Sequence, residues 1–202
     1  PWMYSKIKKG DIRSMRKVLQ LLSVVVVGIA VALMLISPEL VLIFGSPKYR
    51  EAVYVIPPVA ASVFFIFIYN ILSMPQFYYE KTQFLMAASM AAAGANVVLN
   101  FIFIRLFGYI AAGYTTLACY MLYSVGHYIV SKRILVNEGI QENLMNPGFL
   151  LACSVFLIGA SIICNLIFPY RILRYAILLA SAGLVFWKKE LLLKTMADIR
   201  KK

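Results

Sequence analysis

Acidic side chains are scarce in this 202-residue chain, eight against twenty Lys and Arg, and none falls in the middle of a long apolar run. A carboxylate deep in such a run is the usual means of holding a cation or relaying a proton within a membrane, so the residues present favour an anionic or neutral polar cargo. Histidine occurs once, at His127, and Cys119, Cys153 and Cys164 stand singly with no Cys-x-x-Cys or Cys-x-x-x-His spacing. A metal site therefore has no ligand set, and the cysteines read as small buried hydrophobes. G-x-S-x-G, H-E-x-x-H and a glycine-rich phosphate loop are also missing, which leaves hydrolase, metalloprotease and P-loop chemistry without residues to carry it. No enzymatic activity and no cofactor are expected.

What the chain has in abundance is apolar surface, 62% of residues against 14% charged. That balance lies far from an ordinary soluble domain and reads as an integral membrane protein. Six apolar stretches, at about 17–36, 53–74, 83–105, 109–130, 149–168 and 172–187, approach the roughly 20 residues needed to cross about 30 Å of hydrocarbon. The fold expected is all-α, a polytopic membrane bundle of about six transmembrane helices.

Punctuation between the stretches is specific. Ser37 and Pro38 are expected to close the first, with 38–45 forming a short interfacial helix that carries Glu39 near its positive end. Pro57 and Pro58 predict a kink or a late start, and Pro75 an end. Phe107-Gly108-Tyr109 and Asn146-Pro147-Gly148 read as turns, and Pro169 as a separator. The resulting divisions are a basic loop or interfacial helix at 1–16, four spans over 17–135, a linker at 136–148, two further spans over 149–187 and a basic tail at 188–202.

Fifteen of the twenty basic residues fall on one side of this arrangement, before the first span, after the second and fourth, and after the last. Lys48, Arg50, Arg105, Arg171 and Arg174 fall on the other. Positive charge accumulates on the cytoplasmic side, so both ends of the chain are expected there. The net charge of +12 then belongs to a rim facing anionic lipid headgroups; with the spans removed no compact basic domain is left to bind nucleic acid. Tyr78 and Tyr79, beside Glu80 and Lys81, suit interface anchors.

Small and polar residues inside the spans are the remaining signal. Ala87, Ala91 and Ala95 repeat every fourth residue, Ala88, Ala92 and Asn96 repeat one step around, and Ala112 and Thr116 begin a similar face after Gly108. Such faces let helices approach closely. Asn70, Asn96, Asn100 and Arg105 are polar positions in or at the ends of spans; they bond neighbouring helices or line a water-filled cavity and gate.

One stretch carries a resemblance. "GSPKYREAVYVIPPVAASVFFIFIYN" and "GANVVLNFIFIRLFGYIAAGYTTLACYML" resemble the carboxyl-terminal lobe of polysaccharide transporters in the multidrug/oligosaccharidyl-lipid/polysaccharide flippase superfamily, the family of O-antigen repeat-unit flippases. The matching residues are Gly45, Tyr49 and Ala52, then Asn96, Leu99, Asn100, Phe107, Gly108, Ala111, Ala112, Gly113 and Thr116. Ala112-Gly113 stands where the family often has Gly-Ala-Ala, which shifts the small residues by a place or two. The opening "PWMYSKIKKGD" looks like the family's cytoplasmic loop, and with no initiator methionine the chain is expected to be a piece of a longer protein. The likeness spans about residues 1–135, with the last two stretches matching an extra helix pair of longer members.

The resemblance implies a two-lobed fold like that of multidrug exporters and export of a polyprenyl-pyrophosphate-linked oligosaccharide across a bacterial or archaeal cytoplasmic membrane. Polysaccharide polymerase or ligase machinery would be a partner. A multidrug cation exporter of the same superfamily and a non-transporting membrane scaffold are the competing expectations.

Overall fold

The computed structural model describes residues 2–187, which are α-helical apart from short turns and one 3-10 helix. The described helices are α1 (Trp2–Lys8), α2 (Ile12–Phe44), α3 (Ile56–Tyr78), α4 (Gln83–Phe107), α5 (Ala111–Asn137), α6 (Pro147–Ile167) and α7 (Arg171–Trp187), with the 3-10 helix Pro47–Tyr54 between α2 and α3. The basic tail at 188–202 lies outside the described residues.

Four of these helices, α2, α3, α4 and α6, are long and apolar enough to cross a membrane. Six were expected. α5 is long, but its 27 residues include Thr115, Thr116, Ser124, His127, Ser131, Lys132 and Arg133. α7 is described over 17 residues, up to the last described residue, Trp187.

Two helix ends differ from expectation. α2 continues through Pro38 to Phe44 as a single 33-residue helix, so no separate interfacial helix forms at 38–45. Proline removes the donor that would meet the carbonyl four residues back; here Ser37 Oγ donates to that carbonyl, Met34 O, at 2.8 Å. α3 likewise passes Pro75 and ends at Tyr78. Pro57 and Pro58, by contrast, sit in the first turn of α3, where a missing amide donor costs nothing.

The expected divisions shift accordingly. α2 begins at Ile12, inside the segment assigned to a basic loop or interfacial helix, because Gly10 turns the chain at φ +67° and the Asp11 side chain caps the Ser14 amide. α5 runs seven residues past its expected end, to Asn137. Three corners share one design: Gly10, Glu80 and Gly139 take left-handed φ of 67°, 56° and 81°. In each, the next amide bonds back five residues, Asp11 to Lys6 O, Lys81 to Gln76 O and Ile140 to Leu135 O. These are helix-terminating caps that satisfy otherwise orphaned carbonyls.

Contacts at the helix ends sort into two sets. Arg13 pairs with Glu142 at 2.6 Å, Lys81 with Glu138 at 2.9 Å, and Arg16 donates to Asn143 O at 2.8 Å. These join the start of α2, the α3–α4 turn and the α5–α6 linker. At the far end Glu39 pairs with Arg174, Tyr109 donates to Glu51 at 3.2 Å, and the Tyr54 and Phe168 rings meet at 5.7 Å. Among the described residues these contacts gather at two opposite ends of the bundle.

The core lies where α2, α3 and α5 meet, around Met15, Met34, Phe64, Leu72 and Leu135, with Leu157 of α6 closing one side. α5 packs most extensively on α3. Gly113 makes that approach possible, since a Cβ there would stand 2.9 Å from Pro58 Cγ and from Val55 O. Ser124 Oγ adds a bond to Phe65 O across the same interface at 2.9 Å. α4 is different: it buries no residue and packs along α5.

Candidate functional site

Three of the four polar positions singled out in the sequence come together on α4. Asn96 and Asn100 lie one helical turn apart, and Asn100 Nδ2 donates to Asn96 Oδ1 at 2.9 Å. Asn100 Oδ1 in turn accepts from Thr115 Oγ1 of α5 at 2.6 Å. Arg105 lies a little over a turn further on, with its guanidinium 3.8 Å from the centre of the Phe101 ring. Asn96, Asn100 and Arg105, with Val97, Phe101 and Ile104, line one open recess of about 450 Å³.

Arg105 has no carboxylate partner among the described residues, its contact being the aromatic face beneath it. A guanidinium over an aromatic face keeps its charge and has N–H groups left to offer an anion. Asn70 does not join this group. It is exposed on α3, and its Nδ2 donates at 2.8 Å to Ile66 O of its own helix.

The small-residue positions divide in a similar way. Ala87, Ala91 and Ala95 are exposed. The half-buried face of α4 is the neighbouring one, Ala88, Ala92 and Asn96. Gly108 is the corner between α4 and α5, at φ +75°. Ala112 and Thr116 are half-buried on α5, while Gly113 and Thr115 beside them are buried. Thr115, which holds Asn100, is one residue from the threonine chosen from the sequence.

Two polar pairs were not anticipated. Gln76 Nε2 lies 2.7 Å from His127 Nδ1, both side chains fully buried between α3 and α5. Gln76 Oε1, His127 Nε2 and Ser131 Oγ have no hydrogen-bond partner among the described residues. The second pair is Glu39 with Arg174. Arg174 is buried at 2% exposure and donates to Leu35 O at 2.7 Å as well as to Glu39. Its sequence signal was present, an acid and a base both assigned to the same end of the bundle.

No protein-family model, curated protein or solved structure matches the chain. The class that the fold itself defines is an all-α helical bundle with long apolar helices. Among the described residues no group of three His, Cys, Asp or Glu is placed to hold a metal ion.

Proposed function

We propose that this chain is part of a flippase that moves polyprenyl-pyrophosphate-linked oligosaccharide repeat units across a cytoplasmic membrane for surface polysaccharide synthesis. In this reading the chain supplies four spans of one lobe of a two-lobed, multidrug-exporter-like fold and two further spans after it, with both ends of the chain in the cytoplasm. The lobes rock about a central cavity and expose it to each side in turn.

The observation that carries the reading is the recess on α4, where Asn96, Asn100 and an acid-free Arg105 share one open surface of an otherwise apolar helix. A sugar chain or pyrophosphate entering hydrocarbon uncovered pays several kcal/mol per polar group. Amides answer hydroxyls, and an arginine answers phosphate with planar, paired donors. The polyprenyl tail meanwhile stays in lipid. Inside-negative potential favours outward movement of the headgroup by about 2.3 kcal/mol per negative charge per 100 mV.

Complementation tests it. In a bacterium lacking its repeat-unit flippase, the full-length gene restores surface glycan, and Arg105→Ala and Asn100→Ala variants at equal membrane abundance do not. Restoration by all three reduces these residues to packing, and failure by the parent together with gained drug resistance moves the protein to the cation exporters.

A further inference from the structure

A second cavity, of about 460 Å³, opens where α3, α4 and α5 meet. Its size falls within the roughly 300–1,000 Å³ typical of small-molecule sites. Tyr69, Tyr120, Tyr123, Ser89, Asn96 and Thr116 line it, and none of its lining residues is charged. Neutral lining excludes it as a pyrophosphate seat and leaves an uncharged, hydroxyl-rich or apolar guest.

The arrangement of the lining decides between those two. Tyr69 stands at 60° to Tyr123 with ring centroids 4.7 Å apart, and is parallel to Tyr120 within 6° at 6.2 Å. The three rings make a corner of aromatic faces. Tyr123 is fixed in place by its hydroxyl, 2.6 Å from Ser89 Oγ. Polar capacity around the corner is unspent: the Tyr69, Tyr120 and Thr116 hydroxyls have no hydrogen-bond partner among the described residues. Asn96 Oδ1 accepts from Asn100 Nδ2, which leaves the Asn96 amide N–H groups available.

Aromatic faces beside free hydroxyls and an amide are what a pyranose ring asks for. Its C–H face stacks on an aromatic ring, and its equatorial hydroxyls both donate and accept around the edge. A purely apolar guest leaves those groups without partners, at the cost of burying unsatisfied polar atoms. We infer that the α3–α4–α5 cavity is a carbohydrate subsite that seats a neutral pyranose residue against Tyr69, Tyr120 and Tyr123. The inference deepens the export reading and rests on it for the origin of the sugar. Asn96 lines this cavity and the Arg105 recess alike. Nine residues of helix separate Asn96 from Arg105, about 14 Å of rise, so sugar and phosphate positions fall in sequence along one helix.

The test measures binding without transport. In the full chain in lipid nanodiscs, Cys119, Cys153 and Cys164 are replaced by Ala and a single thiol is introduced by Ala93→Cys, an exposed position that lines the cavity. Alkylation by N-ethylmaleimide is timed with glucose, galactose or N-acetylglucosamine at millimolar concentration, and separately with pyrophosphate or tetramethylammonium. At least one sugar is expected to slow labelling several-fold, with no effect of either ion and none on an Ala87→Cys control. Tyr69→Ala abolishes the protection, and Tyr69→Phe, which keeps the stacking face, retains most of it.

Absence of protection by all three sugars overturns the subsite, as does protection by tetramethylammonium alone, which marks an aromatic cation box. Sugar protection in a protein that fails complementation keeps the subsite and removes the cargo. Complementation without protection keeps export and removes the subsite.

Discussion

Arg174 of α7 holds both carboxylate oxygens of Glu39 near the end of α2, Nη1 to Oε2 and Nη2 to Oε1, at 2.8 Å each. The Tyr175 hydroxyl donates to the same carboxylate at 2.9 Å. The pair joins residues 135 positions apart and is the main polar tie of α7 to the bundle.

The two halves of that pair are unequal. Arg174 is 3% exposed at its side chain and Glu39 is 23% exposed. Glu39→Leu therefore strands a buried cation and costs about 3–5 kcal/mol, whereas Arg174→Leu leaves a carboxylate that keeps Tyr175 and some solvent, and costs less. The double Leu variant recovers most of the loss. Unfolding of the purified chain in mixed micelles, followed by circular dichroism, measures all three; equal losses from the two single variants would refute the asymmetry.

Gly113→Ala is expected to destabilise by about 1–3 kcal/mol through overpacking, because the new methyl meets Val55 O, a backbone atom that cannot step aside. Gly159→Ala on α6 meets nothing within 4 Å and should be neutral or gain up to about 1 kcal/mol of helix propensity. The same unfolding assay compares them, and similar values for both would show that α3 and α5 do not approach as closely as described.

Ser37→Ala should cost about 1–3 kcal/mol, the loss expected when a buried carbonyl is left unsatisfied. Ser37 is fully buried, and Pro38 cannot supply the donor that Met34 O then lacks. Adding Pro38→Ala restores a backbone N–H, so the double variant regains stability. A double variant no better than Ser37→Ala alone would show that the hydroxyl is not replacing the missing amide.

Topology gives the fourth expectation. Gln141 and Tyr170 are exposed residues in the α5–α6 linker and the α6–α7 turn, at opposite ends of the bundle. With the basic end in the cytoplasm, an impermeant maleimide applied to intact cells labels Tyr170→Cys at once and Gln141→Cys only after permeabilisation. The reverse pattern would invert the orientation.

Helix positions were legible where local chemistry decides them. Gly108 ends α4, and Asn146 caps α6 through Gly148 and Phe149 with Pro147 in the first turn, as their types require. Pro38 misled because its rule concerns a missing donor, and the replacement from Ser37 is a matter of one rotamer. Periodicity showed that α4 has narrow faces but not which one meets α5. Neighbouring positions differ by about 100° around the axis, and the choice of Ala88 over Ala87, like Thr115 over Thr116, is made by the partner helix. The Glu39–Arg174 and Gln76–His127 pairs join distant segments, so no local pattern encodes them.

α4 buries no residue, yet it is bonded to α5 through Asn100 to Thr115 and Ser89 to Tyr123. Its contact with α5 is made by half-buried residues such as Ala88, Ala92 and Asn96, and these bonds set its register. Moving the core helices apart exposes packed side chains, but rolling α4 on α5 breaks a few directional bonds that its own amides and hydroxyls are chemically able to remake with another guest. If any element of this bundle exchanges a protein partner for a bound guest, the energetics select this one, and the bonds that set its resting register are the same ones such a guest would compete for.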